Sequence, residues 1–68
     1  MTMNKYIVYV SADAGKSSIT VSIINEDTGY EYIVKVFTIP YAGLYDKVAS
    51  EVDRYADGLA TFLNCRYE

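Results

Sequence analysis

The stretch YIVYV at residues 6–10 decides the fold of this chain, because a large apolar side chain occupies every one of its positions. Successive side chains of a β-strand point to opposite faces of the sheet, and a strand that is apolar in both phases is typical of one covered on both faces. The next strand-like run, residues 17–25, alternates between apolar Ile19, Val21 and Ile23 and a phase of serine and threonine that can face water. We therefore predict a sheet with one apolar face over a core and a second face that is also partly apolar.

Further elements follow along the chain. A third strand is predicted over residues 30–39, after a short turn whose Gly29 can adopt positive φ. Pro40 ends this strand because it has no amide hydrogen for the ladder. Over residues 42–63, apolar side chains recur at steps of three and four, the spacing that lines one face of an α-helix. Together with the preceding Tyr41, this apolar stripe consists of Tyr41, Tyr45, Val48, Val52, Tyr55, Leu59 and Phe62.

These elements predict a single α+β domain over residues 1–68. Its sheet is a three-stranded antiparallel meander, and one C-terminal helix packs on one face of it. Gly58 interrupts the helical pattern, since a glycine inside a helix costs about 1 kcal/mol relative to alanine. Two arrangements therefore stay open. The helix continues to Leu63, straight or kinked, or it ends near Asp57 and a short fourth strand over residues 59–67 pairs on the sheet edge.

The second face of the sheet needs a cover of its own, because one helix covers only one face. By the alternation of a strand, Ile7, Tyr9, Ile33 and Phe37 fall on this second face. A chain of 68 residues buries only about 60% of its unfolded surface and has a marginal core. One cysteine and no histidine exclude an intrachain disulfide and a zinc site of the usual kind. Of the usual ways to stabilise so small a domain, oligomerisation remains. We therefore predict a homodimer through these four residues.

Composition and charge exclude several classes of protein. Nine acidic against six basic residues give a net charge of −3, the wrong sign for a protein that grips phosphates. The hydrophobic content of 51% argues against disorder. The longest apolar run, residues 6–10, is too short for a signal peptide or a transmembrane helix. We expect a soluble cytoplasmic protein without membrane association, and its acidic charge disfavours nucleic acid as a partner.

No motif predicts catalysis, a cofactor or a metal. Gly15-Lys16-Ser17 matches the end of a phosphate-binding loop, but Val10 stands where that motif has its first glycine. The β-branched residues 19–21 follow instead of the helix N-terminus that would bind the phosphate. We therefore predict a hairpin loop here. Cys65 has no histidine to activate it, so we expect it to act only as a small apolar residue. We therefore expect that the chain is not an enzyme.

In the order of its elements, the chain resembles two kinds of known domain. One is the opening half of a ribonuclease H-like fold, in which Asp13 and Glu51 would hold magnesium. That two-metal site needs further strands and carboxylates, so we predict a turn residue and a solvated helix residue instead. The other is a small DNA-binding domain that lays its sheet in the major groove with basic side chains. Here only Lys5, Lys16 and Lys35 precede the helix, and acidic residues outnumber them.

The outer face of the predicted helix carries an excess of carboxylates. Asp53 and Asp57, four residues apart, repel each other without an evident structural gain. Asp46 lies two turns before Asp53 on the same side, and with Glu51 these residues form what we call the acidic ridge. Such a ridge suits a basic surface on another protein, for example a nucleic-acid groove. The alternative is a solvated helix face.

The sequence thus predicts a small acidic, non-enzymatic protein-binding module that forms a homodimer and modulates or inhibits a larger protein. Short acidic chains of this type are typical of phage and mobile-element products that block host nucleic-acid-binding machinery. Such anti-defence inhibitors place carboxylates where phosphates would sit. Two alternatives stay open, a DNA-binding module that uses its three-stranded sheet and a structural assembly subunit.

Overall fold

A computed structural model describes residues 5–67 of the chain. In chain order, its elements are β1 (Tyr6–Ala12), β2 (Ser18–Asn25), β3 (Glu31–Thr38), a 3-10 turn (Ala42–Leu44), α1 (Tyr45–Leu63) and β4 (Arg66–Tyr67). The strands form one sheet in the order β3-β2-β1-β4, in which β4 runs parallel to β1 and the other pairs are antiparallel. The predicted α+β fold is confirmed. Its C-terminus combines the two arrangements left open, because the helix reaches Leu63 and a short strand follows it.

Asp13 organises the loop between β1 and β2. Its Oδ1 accepts hydrogen bonds from the backbone N–H groups of Ser17 (2.7 Å) and Ser18 (3.1 Å), and its Oδ2 accepts one from the Ser17 hydroxyl (2.7 Å). The Ser17 hydroxyl and then the Ser18 N–H hold the pKa of this carboxyl below its usual value. Lys16 adopts a left-handed conformation with φ of 55° to complete the turn. Gly15-Lys16-Ser17 is therefore a hairpin loop, as predicted.

The core lies between α1 and the face of the sheet that β1 and β2 present to it. The register pairs Val8 with Ile23 and Val10 with Val21, which places these side chains on one face. The helix packs against β1, β2 and β4. The small side chains of Ala56 and Ala60 are buried in this contact, so the helix backbone lies close to the sheet there. The buried apolar residues are Val8, Ile19, Val21, Ile39, Val52, Ala56 and Ala60.

A β-bulge in β3 changes which of its side chains share a face. Val21 pairs with Lys35, but the next residue of β2, Ser22, pairs with Ile33, so that Val34 is an extra residue. Ile33 and Phe37 therefore lie on opposite faces, although strict alternation would place them together. The prediction that Phe37 belongs to the second face is wrong. Phe37 packs against the core, and its ring centroid lies 5.6 Å from that of Tyr55 in an edge-on contact.

The helix runs through Gly58 without interruption and ends in a defined turn. Asn64 adopts a left-handed conformation with φ of 56°. Its N–H donates to the Thr61 carbonyl (3.2 Å), and the Cys65 N–H donates to the Ala60 carbonyl (3.0 Å). This pair of bonds is the Schellman arrangement that satisfies the last carbonyls of a helix. It turns the chain back toward β1, where β4 pairs.

Replacing Gly58 by alanine should raise the free energy of unfolding by about 1 kcal/mol, because alanine favours the helix over glycine. Apart from the neighbouring residues and backbone of the helix itself, no atom lies within 4 Å of the added Cβ, so no packing cost opposes this gain. Urea denaturation of wild type and variant measures the difference.

Gly29→Ala is the matched control. An added Cβ also meets no atom there, but φ is +75°, and an alanine forced into that region should lower stability by about 1 kcal/mol. A loss of stability in Gly58→Ala would show that the helix is distorted at this position.

Candidate protein-binding surfaces

The side of the sheet that faces away from α1, which we call the far face, carries exposed apolar side chains. The register pairs Tyr9 with Ser22, Ser22 with Ile33 and Thr20 with Val36, which places all of them on this side. The exposed fractions are 66% for Ile33, 52% for Val36 and 40% for Tyr9. The large apolar members of the far face are Ile7, Tyr9, Ile24, Ile33 and Val36.

Three of the four residues predicted for the dimer face therefore lie on the far face: Ile7, Tyr9 and Ile33. Sequence reasoning missed the other two. Strict alternation along β3 places Val36 in the phase opposite to Ile33, because nothing in the sequence marks the bulge at Val34. Ile24 lies in the otherwise polar phase of β2, and its own apolar character was the only available signal.

Ser22 lies at the centre of the far face and is completely buried. The sequence predicted that its side chain faces water, which is wrong. Its cross-strand neighbours are Tyr9 on β1 and Ile33 on β3, and a small side chain between two large ones is shielded from solvent. The Ser22 hydroxyl has no hydrogen-bond partner within residues 5–67. The centre of the far face is thus as dry as an interior.

Ser22→Ala should raise the free energy of unfolding by about 1 kcal/mol, because a buried hydroxyl without a partner opposes folding. Ser17→Ala is the control, since it removes a hydroxyl that donates to Asp13 and should lower stability. Thermal unfolding of both variants measures the signs. A destabilised Ser22→Ala would mean that this hydroxyl makes a bond in solution.

The carboxylates of α1 do not form the single ridge that the sequence predicted. In a continuous helix, Asp46, Asp53 and Asp57 lie within about 40° of one another around the axis. Glu51 lies about 120–160° away from the latter two, so including it in one ridge is wrong. We call the three aspartates the acidic flank. They border the buried stripe of α1 on the side of β4, as the contact of Asp53 with that strand shows.

Asp53 is held in place by Tyr67, a contact that sequence reasoning missed because no local pattern links residues fourteen positions apart. The Tyr67 hydroxyl donates to Asp53 Oδ1 over 2.8 Å. Burial, the hydrogen bond to Asp53 and the charges of Asp53 and Asp57 raise the pKa of Tyr67 to about 12. The neighbouring Arg66 forms an ion pair with Glu26. Both residues of β4 are therefore tied to the rest of the fold by side-chain contacts.

Asp46 has a structural role as well. It lies in the first turn of α1, where a negative charge interacts favourably with the helix dipole, typically by 0.3–1 kcal/mol. No side chain caps this helix end by a hydrogen bond. Part of the acidic flank is thus explained by helix stability alone.

The folded-state pKa of Tyr67, about 12, exceeds its ordinary value of 10.0, so the folded state binds this proton more tightly. The resulting stabilisation is fully present below pH 10 and is lost as the pH rises to about 12. The difference in tyrosinate absorbance between wild type and Tyr67→Phe isolates this titration. Its midpoint should lie near pH 12, and Asp53→Asn should move it toward 10. A midpoint near pH 10 that does not change in Asp53→Asn would contradict the hydrogen bond between Tyr67 and Asp53.

The cations nearest the far face are engaged in ion pairs. Lys5 Nζ lies 2.8 Å from Asp27 Oδ2, and Arg66 pairs with Glu26. Lys35 shares the opposite face with Val21, and its Nζ lies 5.3 Å from the centre of the Phe37 ring. A sheet that binds DNA needs free cations that face the phosphates. Lys5 and Arg66 are instead engaged in ion pairs, and Lys35 lies on the opposite face.

An open cleft of about 510 Å³ separates the β1–β2 loop from the start of the helical region. Lys16 lines it, with Nζ 5.5 Å from the centre of the Tyr45 ring, a distance at which a cation is attracted to the ring face. Pro40 and Tyr41 also line the cleft. The contact docks the hairpin loop onto the helix.

No group of three or more acidic or cysteine side chains that could hold a metal occurs within residues 5–67, and both oxygens of Asp13 bond to the hairpin loop. Cys65 is half-buried, and burial raises the pKa of its thiol, which makes it a poorer nucleophile. Within the same residues, no helix combines the length and apolar character needed to cross a membrane.

No protein-family model matches the chain, and no curated protein or solved structure matches it either. A functional assignment therefore rests on the two surfaces that the fold presents, the far face and the acidic flank.

Proposed function

We propose that this chain is a small, non-enzymatic protein-binding module that modulates or inhibits a larger protein with a basic surface. The observation that carries the proposal is the acidic flank of α1. Asp46, Asp53 and Asp57 follow one side of the helix over about 16 Å. An extended row of carboxylates on a rigid element is suited to a row of lysine and arginine side chains.

Charge is concentrated on this part of the molecule. The helix carries four carboxylates and two cations, which gives −2 of the net charge of −3 of the whole chain. An excess of negative charge on one element of a small protein accelerates encounter with a positively charged partner. It also disfavours partners of like charge, which supports specificity.

Asp53 strengthens the proposal because its position is fixed before any partner arrives. The Tyr67 hydroxyl donates to one carboxylate oxygen, and the second oxygen accepts no hydrogen bond from another side chain within residues 5–67. A group that is already ordered costs less conformational entropy on binding than a mobile one. Tyr67 therefore acts as a positioning residue for the centre of the acidic flank.

The partner class that fits this surface best is a nucleic-acid-binding protein. The groove of such a protein contains basic side chains that are arranged to bind phosphates, and carboxylates on a helix can bind these side chains instead. This is the mode of action of a phage or mobile-element inhibitor of host defence in the cytoplasm. The chain would then compete with nucleic acid for the groove.

The test begins with capture of a binding protein from a cell lysate, followed by affinity measurements at low and high salt. Asp46→Asn with Asp57→Asn should weaken binding about tenfold at low salt, since two exposed charges contribute up to about 1 kcal/mol each. The salt dependence should flatten, because fewer charges are screened. Glu51→Gln, on the other side of α1, is the matched control and should leave the affinity unchanged.

A competition assay completes the test, with the captured protein bound to labelled duplex DNA or RNA and wild-type chain added. Displacement of the nucleic acid would support the inhibitor model. Equal affinities and equal salt dependence for wild type and the double variant would show that the acidic flank is a solvated helix face without a role in binding.

A further inference from the structure

We propose that the far face is covered by a second copy of this chain, in a face-to-face dimer that leaves the acidic flank free. The proposal goes beyond the function above, because it uses the other side of the molecule. Its residues are Tyr9, Ile33 and Val36 around the buried Ser22.

The far face is built like half of an interface. Ile33 and Val36 expose more than half of their surface, and Tyr9 exposes 40% of its own. Contiguous exposed apolar patches on small soluble proteins mark interaction sites. The buried Ser22 at the centre shows that this patch already excludes water between its side chains, so little further desolvation of polar groups is needed when it is covered.

Charge selects a second copy as the occupant. The strands place two charged side chains on the far face, Glu31 and Arg66, and these lie on the two edge strands, so the centre of the face is uncharged. Two far faces can therefore approach without the repulsion that two acidic helices would meet. A basic partner, by contrast, finds no carboxylate at the centre of this face. The helix side thus suits the larger protein, and the sheet side suits another copy.

The available area sets the strength of this contact. Strands of seven and eight residues span roughly 24 Å, and three of them side by side span about 15 Å. With the protruding side chains of both copies, a dimer buries on the order of 1,000 Å², which is near the lower limit for a specific interface. The dimer should therefore be reversible and should dissociate in the micromolar range.

The bulge in β3 excludes the other symmetric arrangement, in which two β3 edges pair into one continuous sheet. Antiparallel pairing about a two-fold axis places residues at equal distances from the axis opposite each other. Ile33 and Lys35 have the same parity but lie on opposite faces. If the residues before Val34 in one copy paired with those after Val34 in the other, their side chains would point to opposite faces of the joined sheet. Only about four residues of each β3 could therefore pair. Bulges and lysines protect edge strands in this way.

Sedimentation velocity over a concentration series tests the proposal with Ile33→Glu and a matched control on the same strand. Tyr32 pairs with Ile23 on the helix side of the sheet and is 51% exposed, so Tyr32→Glu places the same charge on the opposite face. Ile33→Glu should raise the dimer dissociation constant at least about tenfold, because it buries an unpaired charge in an apolar contact. Tyr32→Glu should leave it within about twofold.

Circular dichroism verifies that each variant is folded, and Val36→Glu replaces Ile33→Glu if the latter is not. A wild type that stays monomeric through the micromolar range would overturn the dimer, and equal effects of the two variants would overturn the face-to-face geometry. Neither result would affect partner binding by the acidic flank, which is measured with different variants.

Discussion

The packing of one helical stripe across β1 and β2 is the interaction on which the rest of this structure depends. Val52 and Ala56 meet Val8 and Val21 at the centre of the core, and this contact fixes the rotation of α1 about its own axis. Once that rotation is fixed, the acidic flank must lie beside β4 and Tyr55 must lie beside β3. Because α1 lies entirely on one face of the sheet, the far face has no cover within the described residues. Both proposed surfaces are thus consequences of a single packing choice.

The sequence predicts those parts of the fold that follow from periodicity. The three strands and the helical region that begins at residue 42 agree with the structure, because alternation and helical spacing are local signals. Gly58 left two arrangements open for the C-terminus, and the structure combines the continued helix with a short fourth strand. The position of Phe37 is not predictable in this way, since a bulge is one extra residue with no distinct composition. The burial of Ser22 depends on Tyr9 and Ile33 in neighbouring strands, and the bond between Tyr67 and Asp53 joins two separate elements. Such features arise from tertiary contacts that a pattern along the chain does not contain.

The two surfaces differ in the physical forces they offer. The acidic flank offers charge, and charge interactions are long-ranged and sensitive to salt. The far face offers apolar surface, and apolar contact is short-ranged and insensitive to salt. Because they lie on opposite sides of a two-layer fold, occupation of one does not obstruct the other. A dimer would present two acidic flanks facing outward, and a target with two basic sites could engage both, with the gain in avidity that bivalent binding brings.

The bulge at Val34 has a consequence for the life of the protein in a crowded cell. Residues 32–37 read YIVKVF, a short segment of high β-propensity and low charge, of the kind that stacks into cross-β fibrils when it lies flat on an exposed edge. The extra residue twists this edge and breaks its regular row of backbone donors and acceptors. The bulge at Val34 therefore opposes the stacking of this edge into a fibril.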